Sequence, residues 1–151
     1  SGAETGGNFA FHSPGGQTEI FYEEANRKPL AGFEGESLLD EGQTIALSDF
    51  EGEIVVLNAW GQWCAPCRAE VDDLQHVHEH LQAQGNGIVL GINPSIYDPP
   101  FKTAANLGGV PSSVIPTTIV LDKQHRPAAV FLREITADDL LEVIDRLDGE
   151  A

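Results

Sequence analysis

Ile54-Val55-Val56-Leu57-Asn58-Ala59-Trp60-Gly61-Gln62-Trp63-Cys64-Ala65-Pro66-Cys67-Arg68-Ala69-Glu70 holds the clearest strand signal in the chain together with its two cysteines. The run 54–60 is almost continuously apolar and partly β-branched, the pattern of a strand buried on both faces at the centre of a sheet. Gly61 turns the chain, and a helix is predicted to begin around Cys64. Ala69, Val71, Leu74, Val77 and Leu81 read as the apolar stripe of that helix, and Gly85 and Gly87 as its stop. Ile88-Val89-Leu90-Gly91-Ile92 is a second buried strand. Strand, crossover helix and strand make a βαβ unit, in which the two strands run parallel.

The chemistry follows from where the cysteines fall. Residues i and i+3 in the first turn of a helix lie on one face, so the two sulfurs can bond reversibly. Pro66 suits that turn, where its missing N–H leaves no bond unmade. Cys64 stands at the positive end of the helix dipole with backbone N–H groups pointing at its sulfur, which favours the thiolate. The pattern therefore assigns Cys64 as the nucleophile that attacks a partner's disulfide. Cys67, one turn inside and more buried, then resolves the mixed disulfide. A disulfide-stapled scaffold would need more cysteines spread along the chain, and a structural zinc site would need two further ligands at matching spacing. No metal or cofactor is expected. His76 and His80 share a helix face at i, i+4, but two ligands on an exposed helix read as a solvated surface.

Around the pair, several residues are candidates for substrate contact. Trp63 is expected to shield the Cys64 sulfur and, with Ala65 and Pro66, to form part of a partner groove; Trp60 reads as core packing. Arg68, near the helix start, opposes the dipole and is open to a partner-contacting role. Ile115-Pro116-Thr117 stands just before a later strand. A proline facing the cysteines there would hold a cis bond and leave the Ile115 backbone free to pair with an extended substrate; an ordinary trans loop proline is the alternative. Glu70 has two readings, a proton-transfer partner for Cys67 or a solvated first-turn residue.

The remaining chain builds a single domain of ordinary globular composition, with 41% hydrophobic and 21% charged residues among 151. Residues 1–8 read as a flexible leader, and 9–43 as an N-terminal hairpin and loop before a core over 44–148. The hairpin is Phe9-Ala10-Phe11-His12 and Thr18-Glu19-Ile20-Phe21-Tyr22 around Ser13-Pro14-Gly15-Gly16; residues 23–43 read as a connecting loop. Ile45-Ala46-Leu47 is a short strand, with a single helical turn after it. Phe101 to Leu107 is predicted as a short helix closed by Gly108-Gly109. Thr117–Leu121 and Ala128–Leu132 form an antiparallel hairpin, and Thr136 caps a last helix with Leu140, Leu141, Ile144 and Leu147 on one face. The expected fold is α/β, a mixed central sheet flanked by helices with an N-terminal β-hairpin extension.

A net charge of −16 argues against nucleic-acid binding, which needs a basic surface, and against an anionic membrane surface. The acidity reads as a solubility feature, with electrostatic steering towards a basic partner as the sharper alternative. No run approaches the roughly 18 apolar residues of a membrane span, and no signal-peptide pattern opens the chain. Ser1 and the absence of Met predict a chain trimmed upstream, from which a leader or a lipid-bearing cysteine has been removed.

Trp63-Cys64-Ala65-Pro66-Cys67 after Leu57-Asn58-Ala59-Trp60, followed by Arg68-Ala69-Glu70 and later by Ile115-Pro116-Thr117-Thr118, resembles the thioredoxin superfamily over roughly residues 35–147. Within it the chain is most similar to the membrane-tethered, extracytoplasmic TlpA/ResA-like branch and to thioredoxin-like proteins of cytochrome c biogenesis. The resemblance implies a thioredoxin fold, a cis Pro116, and a monomeric thiol–disulfide oxidoreductase in the cell envelope. It would keep the haem-attachment cysteines of apocytochrome c reduced and be recharged by a membrane thiol-transfer partner. A disulfide-forming oxidase or isomerase of secreted proteins is the competing function; a redox-inert binding domain is disfavoured by the intact cysteine pair and Pro116.

Three features depart from the superfamily pattern. Classical thioredoxins carry an aspartate at the position of Asn58, and asparagine cannot serve as a general base, so Cys67 must lose its proton to water or to another carboxylate, Glu70 being the candidate. The proline that kinks the active-site helix is missing, with Asp72 near its place, which predicts a straighter helix. The link from Ile92-Asn93 to Pro94-Ser95 lacks a helix that the family carries there, either as a true deletion or, as favoured here, because residues are missing from the chain.

Overall fold

A computed structural model describes residues 17–30, 34–36, 44–59, 64–92 and 116–150. Along the chain lie β1 (Glu19–Phe21), β2 (Glu34–Glu36), β3 (Thr44–Ala46), β4 (Ile54–Ala59), α1 (Ala65–Ala69), α2 (Val71–Gln84), β5 (Gly87–Ile92), β6 (Thr117–Leu121), β7 (Pro127–Phe131) and α3 (Ala137–Asp148), with single 3-10 turns at Glu24–Asn26 and Leu47–Phe50. All six side chains of β4 are buried, as a doubly covered central strand requires. It pairs in parallel with β5, from Ile54 opposite Gly87 to Ala59 opposite Ile92, and antiparallel with β6. The main sheet has the order β1-β7-β6-β4-β5, and β2 and β3 form a separate antiparallel pair.

The two-residue alternation of β4 decides what each face of the sheet meets. Ile54 and Val56 point into a core shared with Val77 and Leu81 of α2 and Leu140, Val143, Ile144 and Leu147 of α3. Val55 and Leu57 point the other way, into a second core with Leu30, Leu47, Ile119, Leu121 and Val130. Asn58, two residues on from Val56, therefore faces the helices. At the far end of the strand the packing is closest: a Cβ on Gly87 would lie 2.5 Å from the Ile54 carbonyl oxygen and 2.9 Å from Leu81 Cδ2. Gly85 takes the left-handed conformation that ends α2, with φ 68°.

The structure redraws several expected boundaries. The predicted single straight helix is two helices that meet at Glu70, whose N–H bonds back to the Cys67 carbonyl at 3.2 Å before regular spacing resumes with Leu74 N–H to the Glu70 carbonyl at 2.8 Å. Ala69 and Val71 do not belong to the apolar stripe: both face solvent, Val71 being 57% exposed, and the position one turn before Leu74 is taken by Glu70. Only a polar group there could accept from the buried donors that converge on it. The segment read as a loop over 23–43 contains the Glu24–Asn26 turn and β2, and β1 finds its partner in β7, Glu19 opposite Phe131. The first arm of the predicted hairpin with its Pro-Gly-Gly turn, the 101–107 helix, the Asn93–Pro94 link, Trp60, Trp63 and Ile115 lie outside the described residues. No helix among the described residues is long and apolar enough to cross a membrane.

Candidate active site

Cys64 and Cys67 are joined in a disulfide, with their Cα atoms 5.2 Å apart. Cys64 is the N-cap of α1, in extended conformation, and its Sγ accepts a hydrogen bond of 3.1 Å from the Cys67 N–H. Pro66 lies in the first turn, as its lack of an N–H allows. Burial does not separate the two cysteines, contrary to expectation: Cys64 is 4% and Cys67 5% exposed. What distinguishes them among the described residues is the helix start, which aims a backbone donor at Cys64 Sγ. A thiolate formed there on reduction would keep that bond. Ala65 and Pro66 are exposed beside it.

Glu70 is fully buried, which overturns its reading as a solvated first-turn residue. One carboxylate oxygen accepts from Asn58 Nδ2 at 3.1 Å and the other from the Ile135 N–H at 2.8 Å. The same Asn58 Nδ2 donates to Thr118 Oγ1 at 3.0 Å. Asn58 and Thr118 stand directly opposite each other in the β4–β6 register, and Pro116, also buried, is two residues before Thr118. Asp73, one turn further along α2, accepts from the Ala137 N–H at 3.0 Å. Two successive carboxylates thus tie the redox-bearing helices to the start of α3. Burial pushes the Glu70 carboxyl up to about 6 from 4.5; the bonds from Ile135 and Asn58 oppose that rise, and the charges of Glu134 and Asp73 add to it.

This shift makes a pH prediction with a definite sign. Between pH 4.5 and about 6 the folded chain holds a proton on Glu70 that the unfolded chain has released. Stability from this group is therefore fully present below 4.5 and falls as pH rises through about 6, by on the order of 2 kcal/mol. Asp139, held low by Arg133 and the Thr136 cap against the effect of burial, has the opposite slope and loses its contribution as pH falls. Chemical denaturation of the wild type and Glu70→Gln across pH 4 to 8 should give a difference that grows in favour of the variant with rising pH. A constant difference would mean that Glu70 titrates normally.

Of the residues singled out by sequence, Cys64, Cys67, Ala65, Pro66, Glu70 and Pro116 are described, and the first four with Glu70 form one unit on α1 and its junction with α2. Asn58 entered the reading only as a departure from a pattern, and Thr118 and Ile135 not as site residues at all. A signal was available for the first: an amide within a continuously apolar central strand must find a buried partner. Among the described residues no group of three or more potential metal ligands occurs. His78, between the two histidines weighed as a pair, accepts from the Val89 N–H through Nδ1 at 3.2 Å.

Known proteins resemble this chain. The AhpC/TSA family profile matches residues 27–135. The thiol-disulfide oxidoreductase ResA of Bacillus thuringiensis subsp. konkukian is 27% identical over 125 residues, covering 71% of this chain and 70% of its own. Among solved structures, a secreted thiol-disulfide isomerase from Corynebacterium glutamicum is 60% identical with a TM-score of 0.88, over 95% of this chain and 99% of its own. A DsbF homologue from Corynebacterium diphtheriae is 59% identical with a TM-score of 0.84, over 93% and 99%. With its paired cysteines at the start of α1 and its mixed sheet backed by α2 and α3, this chain belongs to the AhpC/TSA family of thioredoxin-fold proteins and is a thiol–disulfide oxidoreductase.

Proposed function

We propose that the chain exchanges disulfides with extracytoplasmic protein substrates, Cys64 attacking, Cys67 resolving and Glu70 carrying the proton of Cys67. The observation that supports this is a fully buried carboxyl, pushed up by that burial, one helical turn beyond Cys67. In the reducing direction the Cys64 thiolate attacks one sulfur of the substrate disulfide and expels the other as a thiolate. Cys67 then gives its proton to Glu70, attacks Cys64 Sγ and releases the second substrate thiolate, leaving the intramolecular disulfide described above. In the oxidising direction one substrate thiolate attacks Cys64 Sγ, and Cys67 leaves and takes a proton from Glu70. A second substrate thiolate then attacks the substrate sulfur of the mixed disulfide and expels the Cys64 thiolate, which leaves the substrate disulfide. Electrons move as one pair in either case. Trp63, Ala65, Pro66, Ile115 and Pro116 form the substrate-binding rim in this reading.

Two directions have specific support. Formation or isomerisation of disulfides in secreted proteins is favoured by the relatives at about 60% identity, one named a secreted isomerase and the other a DsbF homologue. Reduction of apocytochrome c by an envelope protein, tethered to the membrane and recharged by a membrane thiol-transfer partner, is favoured by the motif resemblance and by the ResA relatives at 27% identity. The reduction potential of the Cys64–Cys67 pair, measured against glutathione, separates them. A value near about −120 mV is expected for disulfide formation, whereas one at or below about −250 mV would replace that reading with the reductase.

A further inference from the structure

Glu70 depends on a neighbour that is itself held in place. The two hydrogens of the Asn58 amide are directed to two oxygens, Glu70 Oε1 at 3.1 Å and Thr118 Oγ1 at 3.0 Å. All three side chains are essentially sealed from water: Asn58 is 3% exposed, and Glu70 and Thr118 are 0%. The cross-strand pairing of Asn58 with Thr118 fixes the amide so that an N–H faces the carboxylate. Ile135 N–H supplies the second donor, and it belongs to the backbone, so it stays whatever side chain is present. The charged groups that face Glu70 are Asp73 on its own helix and Glu134 from the segment before α3, and both are negative. Asn58 is thus the side-chain donor that favours the ionised carboxylate against burial and two like charges.

We propose that Asn58, aimed by Thr118, is a positioning residue that holds Glu70 able to ionise and so sets the pH range over which Cys67 can lose its proton. This rests on the proton-carrying role proposed for Glu70. An asparagine suits the task where an aspartate would not: a second buried carboxylate beside Glu70 would push one of the two to stay protonated. Losing a hydrogen bond to the ionised form shifts a titration midpoint by about one to two pH units.

The test is the titration of the Glu70 side-chain carboxyl by carbon-13 NMR in the oxidised full chain, with the pH dependence of disulfide exchange measured alongside. Asn58→Leu is expected to move the Glu70 midpoint up by about one unit or more and to carry the pH–rate profile with it. Thr118→Val should move both in the same direction by less, and Thr118→Ser, which keeps the hydroxyl, should restore both; this pair decides the matter if Asn58→Leu does not fold. A Glu70 midpoint that stays in place in these variants overturns the positioning role, however stability or rate responds. A midpoint that moves while the pH–rate profile does not would keep Asn58's hold on Glu70 and overturn the proton-carrying reading of Glu70 and the Cys67 part of this inference with it.

Discussion

Cys67→Ser is expected to stop turnover and to leave the chain covalently joined to its substrate. The variant keeps the N-cap position of Cys64 and the backbone N–H of residue 67 that donates to Cys64 Sγ, so attack on a substrate disulfide remains possible. Resolution does not, because a serine hydroxyl is a far weaker nucleophile than a thiolate at neutral pH. One mixed disulfide per chain should accumulate, visible as a mass increase under non-reducing conditions and removed by dithiothreitol. Turnover should fall by on the order of a thousandfold or more. Cys64→Ser should be equally inactive but form no adduct. The reverse pattern, an adduct on Cys67 in Cys64→Ser and none in Cys67→Ser, would exchange the two roles. The cysteines are equally buried, and among the described residues the N–H donor at Cys64 Sγ is what separates them.

Asp122→Ala is expected to destabilise the fold by about 3 kcal/mol or more, on the scale of a buried ion pair broken from one side. Its Oδ1 accepts from the Gln124 and Arg126 N–H groups at 3.0 and 2.9 Å, which closes the β6–β7 turn. Its Oδ2 accepts from Arg27 Nη1 at 3.1 Å and Arg126 Nε at 2.9 Å. The Arg27 and Asp122 side chains are each only 4% exposed. Arg27 also donates to both Glu150 oxygens and to the Tyr22 carbonyl, so this one carboxylate helps bind the segment before β2 and the end of α3 to the sheet. At a few degrees per kcal/mol for a chain of this size, Tm should drop by about 10 °C. Asp122→Asn keeps an Oδ1 for the Gln124 and Arg126 N–H groups and removes only the charge that meets Arg27 and Arg126, so it should recover part of that loss. An Asp122→Asn variant no more stable than Asp122→Ala would place the energy in the ion pairs and not in the two turn N–H bonds.

Most of the scaffold was legible locally. The apolar run 54–59, interrupted by Asn58, gave the central strand, the cysteine spacing with Pro66 gave the helix start, and Thr136 gave the last helix, its side chain accepting from the Asp139 N–H as a cap should. These are properties of neighbours along the chain: side-chain periodicity, dihedral limits and donors left over at helix ends. β2 escaped because Glu34-Gly35-Glu36 has no apolar alternation, and only its pairing with β3 makes it a strand.

The site divides in the same way. The sequence determined the cysteine pair and the helix end that carries it, since both lie within one turn. It could not decide between a solvated and a functional Glu70. That answer depended on groups 12 and 65 residues away in the chain, the Asn58 amide and the Ile135 N–H. Thr118, which aims the amide, is 60 residues from Asn58, and Asp122 is 95 from Arg27. A buried polar atom must be paired, and the sequence says so wherever an amide or carboxylate falls in an apolar setting. Which atom does the pairing is fixed by strand register and helix docking, so only the tertiary structure decided it.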